Sequence, residues 1–222
     1  MPRMLVEEFF FEAIYSSAIN FNRLLSEAAY ISDKLSLQAN TQNSRIKLDL
    51  EEFWVPLEYD IPDLIAMPSK SLGRALGIYL LSMTNDQAAI HGVPAPKRYP
   101  IKHPIDTNLY MKDRMRQTHD IVHILTNFNT SQEGEMGLQA FYLAQRCSPL
   151  SPLQIMQTIG NFWAKKIGQD YISAIAEGLK MGVQAEPYVA FSRIEEKFIH
   201  DIDEIRSDYN IVPSQGSKWN WM

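Results

Sequence analysis

Cysteine is nearly absent from this chain, whose 222 residues contain one, Cys147. A lone thiol cannot close an intrachain disulfide, so the fold must hold without crosslinks and a reducing compartment is expected. Cys147 itself is expected in the core or at a helix end rather than as a nucleophile. Long hydrophobic runs are also missing. The longest clean stretch, Ala75-Leu76-Gly77-Ile78-Tyr79-Leu80-Leu81-Ser82-Met83, falls well short of the ~20 apolar residues that cross a bilayer, so no transmembrane segment is expected. Positive charge is in deficit: 21 Lys+Arg face 26 Asp+Glu, for a formal charge of −5. That balance excludes attraction to nucleic acid or to an anionic bilayer by net charge alone, so any membrane contact is expected to be hydrophobic and peripheral. Glu7, Glu8 and Glu12 interrupt the apolar N-terminal residues, unlike a secretory signal or an acid-poor presequence. A bacterial cytoplasmic protein is the expectation, with a processed organellar form left open.

Hydrophobic residues make up 45% of the chain, enough for one substantial core, and a single helical domain over residues 1–222 is expected. Leu5, Phe9, Phe10, Ala13, Ile14, Ile19, Phe21, Leu24, Leu25 and Ala28 recur near helical spacing, which predicts a long helix from Met4 to about Ser32. Ile46-Lys47-Leu48-Asp49-Leu50 alternates as a short strand would. Pro56, Pro62 and Pro68 break the next stretch, and a helix is predicted from Ser69 or Ser71 to about Asn85. The four prolines between Gly92 and Pro104 exclude regular helix there. Helices follow at about Thr107–Thr126, Ser131–Cys147, Pro152–Gly182 and Pro187–Tyr209, with a tail over about 213–222. The architecture predicted is all-α, a helical bundle with little or no sheet.

The most informative pattern is His119-Asp120-Ile121-Val122-His123, followed after eleven residues by Glu135. Residues four apart on a helix share a face because a turn takes about 3.6 residues, so both imidazoles can meet one ion. Asp120 sits on the flank of that stripe. The segment Asn127-Phe128-Asn129-Thr130-Ser131-Gln132 is rich in turn-forming side chains. Thr130 with Glu133 fits a capping box that would open a second helix. A helix pair over about 107–147 then brings Glu135 level with His123, and four N and O ligands, His119, Asp120, His123 and Glu135, converge on a divalent metal. The competing explanation is a solvated face that happens to carry two histidines.

Several chemistries use such residues. A zinc peptidase needs His-Glu-x-x-His, and Asp120 is one methylene too short for its general base. A histidine–aspartate phosphohydrolase would use the adjacent His119-Asp120 pair with His91 or His103 and Asp170, leaving His123 and Glu135 unexplained. Two imidazoles with one or two carboxylates suit Zn, Fe(II), Mn or Co. Two His and one carboxylate with open positions is the arrangement of oxygen-activating iron sites.

The chain resembles the coenzyme Q (ubiquinone) biosynthesis protein 4 family. The resemblance rests on His-Asp-x-x-His with a Glu after eleven residues, and on Arg114-Met115-Arg116-Gln117-Thr118 before it and Gly134, Gln139, Ala140 and Phe141 around Glu135. Weaker likeness lies in Ser71-Leu72-Gly73-Arg74, Gly178, Gly182, Ile205-Arg206 and Ile211-Val212-Pro213, so it covers roughly residues 65–213. It implies a mostly helical protein of ubiquinone biosynthesis that holds a divalent metal at the four residues, zinc by family likeness, with Fe, Mn, Co or Mg as alternatives. It implies a protein on the cytosolic or matrix face of a membrane that binds a prenyl lipid or prenylated quinone precursor. It further implies a homodimer that works beside other quinone-biosynthesis proteins. The implied activity is that of a lyase, an oxidative decarboxylation that replaces the carboxyl at ring C1 of a prenylated 4-hydroxybenzoate precursor by a hydroxyl. The alternatives are a non-catalytic prenyl-lipid scaffold and, further off, a metal-dependent phosphohydrolase.

Two further sets of residues are candidates. Arg116 and Lys112 lie on the ligand side of the helix and can hold an anionic headgroup by charge-assisted hydrogen bonds, or be ordinary solvated charges. Leu76, Tyr79, Leu80, Met83, Phe141 and Tyr142 can wall an isoprenoid tail, or be ordinary core. Trp219 and Trp221 in the tail can meet a bilayer interface, a partner or their own domain.

Overall fold

A computed structural model describes residues 44–52, 54, 56, 59–83, 107–148, 150–216 and 218–221, without the side chains of residues 44, 45, 50, 83, 107–109, 111 and 112. The predicted helix over residues 4–32 and the proline-rich connector at 92–104 lie outside the described residues. Eight α-helices are described: α1 (Ser44–Glu51), α2 (Ile61–Ala66), α3 (Leu72–Met83), α4 (Thr107–Thr126), α5 (Gln132–Ala144), α6 (Ser151–Trp163), α7 (Gln169–Gln184) and α8 (Ile202–Asp208). Two 3-10 turns, Val189–Phe191 and Ile194–Lys197, separate α7 from α8. The described residues form no strand, only two isolated antiparallel bridges, Ser71 with Asp201 and Phe128 with Asn220. The fold is all-α, as the hydrophobic spacing requires.

Three elements differ from the sequence expectation. Residues 46–50 are helical, not extended. Ile46 and Asp49, three apart, both turn inward while Lys47 and Leu48 face solvent, and that spacing is helical. Asp49 is held inside by the Tyr110 hydroxyl at 2.7 Å and the Arg193 Nε at 2.7 Å, partners remote in sequence. The predicted helix over 152–182 is two helices. Lys165 takes φ 56°, the Lys166 N–H reaches back to the Asn161 carbonyl at 2.9 Å and the Lys165 N–H to Phe162, a left-handed cap that ends α6. Finally, residues 187–209 fold as the two 3-10 turns and the short α8, with Tyr188 at φ 63° and Asp201 capping α8 through the Asp203 N–H.

α4 runs through the centre. Ile121, Val122, Leu125 and Phe128 at its end join Leu76, Phe141, Tyr142, Phe191 and Ile205 in one core that extends from Ile46 to Ile211. α5 packs most extensively on α7. A Cβ added at Gly178 would sit 2.0 Å from the Gly137 carbonyl oxygen, and one at Gly182 would lie 2.7 Å from the Ala144 Cβ. These two glycines, one turn apart, therefore let the α7 backbone lie directly against α5, the helix that carries Glu135. Cys147 is buried and unpaired, its thiol pushed up by burial.

Candidate metal centre

His119 and His123 stand one turn apart near the end of α4. The helix stops because Asn127 enters the left-handed region at φ 61°, where Asn is among the residues best tolerated. Phe128 then plunges into the core with no exposed surface and fixes the turn. α5 is capped by Ser131, whose Oγ accepts from the Gly134 N–H at 3.1 Å, one residue later than the Thr130 capping box predicts. Gly134 lies so close to the turn that a Cβ there would come within 2.1 Å of the Asn129 carbonyl oxygen. The tight reversal delivers Glu135, in the first turn of α5, to the histidines.

The donor atoms converge. His123 Nε2 lies 3.0 Å from Glu135 Oε1, His119 Nε2 lies 3.8 Å from Glu135 Oε2, and the two imidazole Nε2 atoms are 3.2 Å apart. Ligands bound about 2.0–2.2 Å from one ion in tetrahedral or octahedral geometry stand roughly 3.0–3.5 Å from one another; the two separations from His123 fall in that range, and that between His119 and Glu135 is a few tenths of an ångström longer. His119, His123 and Glu135 form the one group of potential ligands closing within 4.8 Å among the described residues.

His123 is the fixed member. It is fully buried, and its Nδ1 lies 2.9 Å from the Phe128 carbonyl oxygen. A proton on Nδ1 donated to that oxygen leaves the Nε2 lone pair for a metal, the arrangement by which buried carbonyls orient metal-binding imidazoles. Burial disfavours the charged ring, but the hydrogen bond and charge of Glu135 and the Phe128 carbonyl outweigh it, so without an ion His123 holds its proton above the usual imidazole range. His119 and Glu135 are about one third exposed, at 35% and 32%, which leaves the centre open on one side. The Tyr142 hydroxyl lies 3.5 Å from His119 Nδ1.

Asp120 is placed beside this group. Its Oδ1 accepts a hydrogen bond from the Tyr79 hydroxyl at 3.3 Å, and it lies outside the three-residue cluster. Burial and the Asp120 charge push the Tyr79 hydroxyl far up, so it stays a donor. Arg116 is exposed on α4, and the Lys112 side chain lies outside the described residues. Leu76, Tyr79, Phe141 and Tyr142 are buried together in the main core, with Leu80 packed at its edge. The Met83 side chain lies outside the description. Asp170 is paired with Lys218 and stands outside the cluster, whereas His91 and His103 lie outside the described residues.

The sequence did not announce two features. Arg114, on the opposite side of α4, is fully buried in a fork with Glu195 at 2.6 and 3.0 Å, and its Nη2 donates to the Ser192 carbonyl. Residues 211–216 and 218–221 pack on the turn between α4 and α5: Ser214 N donates to the Thr126 carbonyl and Asn129 N to the Trp219 carbonyl. Trp219 and Trp221 thus pack on their own domain. The polar, aromatic tail composition was the only signal.

Known proteins are similar to this chain in sequence and in fold. The chain is 28% identical over 164 residues to the ubiquinone biosynthesis protein COQ4, mitochondrial, of Podospora anserina, covering 70% of this chain and 49% of that protein. To its namesake in Yarrowia lipolytica it is 30% identical over 102 residues, covering 46% of this chain and 38% of the other. The match spans half or less of the length of these curated relatives. The crystal structure of a protein from Nostoc punctiforme, provisionally named for ubiquinone biosynthesis, superposes with a TM-score of 0.66 at 22% identity over 90% of this chain and 93% of that one, which confirms the fold. Residues 56–215 match the family described as Coenzyme Q (ubiquinone) biosynthesis protein Coq4, and the chain belongs to that family of ubiquinone biosynthesis.

Proposed function

We propose that this protein is a metal-dependent enzyme of ubiquinone biosynthesis that removes the ring C1 carboxyl of a prenylated 4-hydroxybenzoate precursor and leaves a hydroxyl in its place. The observation that supports this most is the convergence of two imidazoles and one carboxylate, His119, His123 and Glu135, with one side open. A purely structural zinc site has four protein ligands, whereas catalytic sites keep a position free. Two His with one carboxylate accept zinc, Fe(II), Mn or Co; Mg prefers an all-oxygen set and fits less well.

A divalent ion held there supplies Lewis-acid polarisation, and iron supplies in addition the means to use dioxygen as oxidant. The protein's own residues do the rest. His123, locked by the Phe128 carbonyl, and Glu135 fix the ligand geometry. Asp120, aimed by the Tyr79 hydroxyl, is a carboxylate beside the centre able to take a proton, or to join the ligand set when the ion is bound. Arg116 holds the carboxylate of the substrate, and Leu76, Tyr79, Leu80, Phe141 and Tyr142 are the residues we assign to its prenyl tail. Among the described residues no helix is long and apolar enough to cross a membrane. We assign the protein, as a homodimer, to a peripheral place on the cytoplasmic or matrix face of a membrane beside other quinone-biosynthesis proteins; the relatives named for mitochondria support the matrix face.

The test is release of labelled carbon dioxide and formation of the hydroxylated ring from a prenylated 4-hydroxybenzoate under oxygen. Metal-loaded protein is compared with protein stripped by chelator and with Glu135→Ala. Turnover lost in the second and third supports the proposal. Turnover that persists without metal sinks it, and metal and prenyl lipid retained without any turnover leaves a lipid-binding scaffold as the replacement.

A further inference from the structure

The turn that joins the two ligand-bearing helices is bound almost residue by residue to the C-terminal segment. Thr126 accepts from the Ser214 N–H at 2.8 Å, and the Asn127 side-chain amide donates to the Ser214 carbonyl at 2.9 Å. Asn127 also accepts from the Trp221 N–H, and Asn129 donates its N–H to the Trp219 carbonyl at 2.7 Å. The Asn129 side-chain amide reaches the carbonyls of Lys218 and Asn220, and Phe128 pairs with Asn220 as an isolated antiparallel bridge. Phe128 is the residue whose carbonyl orients His123. The segment therefore fixes the backbone on which a ligand's orientation depends, although it contributes no ligand.

Two side chains of α7 anchor the segment at this end: Asp170 pairs with Lys218 on the surface, and Glu177 holds three groups at once. Glu177, on α7, accepts from Ser214 Oγ at 2.9 Å, from the Gln215 N–H at 2.9 Å and from Trp219 Nε1 at 2.7 Å. Trp221, at the far end of the strap, lies edge-on to Tyr79 with ring centroids 5.5 Å apart, and Tyr79 donates to Asp120. Both residues that steer the side chains of the centre, Phe128 and Tyr79, thus lean on the same stretch of chain.

We propose that residues 211–216 and 218–221 form a positioning strap, anchored at Glu177, that sets the metal affinity of the centre by holding the Phe128 carbonyl in place. The inference rests on the metal-centre reading and adds a remote residue to it. Outer-shell partners of metal-bound imidazoles typically govern about 10–100-fold in affinity, and loosening the strap reaches that partner from α7 without touching a ligand.

The experiment titrates the whole protein with cobalt(II), read by its visible absorption, and then displaces cobalt with zinc. Wild type is compared with Glu177→Gln, Glu177→Ala and a chain ending after Val212, while hydrogen exchange over 214–221 reports whether the strap is released. The expected result is a cobalt affinity about tenfold weaker in Glu177→Ala with an altered visible band, an intermediate value in Glu177→Gln, which keeps one acceptor oxygen, and the weakest binding in the shortened chain. Cobalt affinity and spectrum unchanged when the strap is released by hydrogen exchange in Glu177→Ala, or when it is removed in a folded shortened chain, overturns the proposal. So does a fall confined to melting temperature, which is the signature of a merely structural role. If the shortened chain fails to fold, the two Glu177 variants decide. Wild type that binds neither ion removes the metal-centre reading itself, an outcome distinct from equal affinity across the variants.

Discussion

The two ends of α4 each carry a buried polar constellation, and they are built in opposite ways. Near its C-terminal end, His119 and His123 meet Glu135 across a turn, so every side chain comes from a stretch of seventeen residues, and two of the three are about one third open to solvent. Toward its other end, Arg114 meets Glu195, 81 residues away, with both side chains all but completely buried, and the Trp54 ring covers the guanidinium at 4.9 Å. The first is open and short-range, suited to capturing something from outside. The second is sealed and long-range, its two charges closed on each other, with Nε alone among the Arg114 guanidinium nitrogens left without a partner. The lesson is that a polar cluster reads as functional when its valence is left incomplete and accessible, not merely because it is charged and buried.

Separate variants at the two ends should break this comparison cleanly. The largest effect is expected from Glu195→Ala, which strands the Arg114 charge inside. Loss of stability on the order of 3–5 kcal/mol in urea unfolding is the expected outcome, whereas replacing Arg114 and Glu195 together by Met and Leu should restore most of it. Cobalt affinity in a folded preparation of either variant should stay within about twofold of wild type, because distant sites contribute nearly independently. A change as large as that of a ligand variant would show that the two ends are coupled.

His123→Ala should do the reverse. Metal binding is lost outright in a cobalt titration, while stability of the metal-free protein falls by only about 1–3 kcal/mol for the unpaired Phe128 carbonyl. Stability loss exceeding that of Glu195→Ala would mean that the open cluster is the structural one.

The pH dependence sharpens the contrast further. In the metal-free protein His123 is raised by Glu135 and the Phe128 carbonyl against its burial. Its pairing with Glu135 therefore stabilises the fold fully below the unfolded imidazole value, about 6.5, and that contribution is lost as pH rises through the higher folded value. Metal binding runs the other way, since an ion must displace the proton. Cobalt affinity should weaken as pH falls, beginning above about 6.5, and an affinity flat between pH about 6 and about 8 would contradict the assignment of His123 as a ligand. The smallest effect concerns Cys147: buried, with its thiol pushed up, it should react with an aromatic disulfide reagent only after unfolding. Rapid labelling of the native protein would show that this part of the core opens.

Legibility in the sequence followed the range of the interactions. The helices α3, α4 and α5 and the ligand spacing come from local periodicity and from turn residues that act within a few positions, so they were readable. α1 was misread as a strand because its inward residue Asp49 is polar and is kept inside by Tyr110 and Arg193, which no local window contains. The break between α6 and α7 was missed because a lysine, Lys165, occupies the left-handed position usually given to glycine. Residues 187–209 kept an apolar pattern compatible with one helix, but Val189, Ala190, Phe191 and Ile194 all turn into the core, and a single α-helix cannot point so many consecutive side chains one way.

By itself the sequence determined the class of fold, the helix pair and the convergence of three side chains able to hold a metal, because helix pitch and a short turn leave them few other places to go. Only the tertiary structure decided that Asp120 turns to Tyr79, that Arg114 is sealed against Glu195, and that the C-terminal segment returns to grip the turn under His123. Those contacts join residues 41 to 94 positions apart. They form because the packed core brings distant backbone donors and acceptors to places where, cut off from water, each must find a partner.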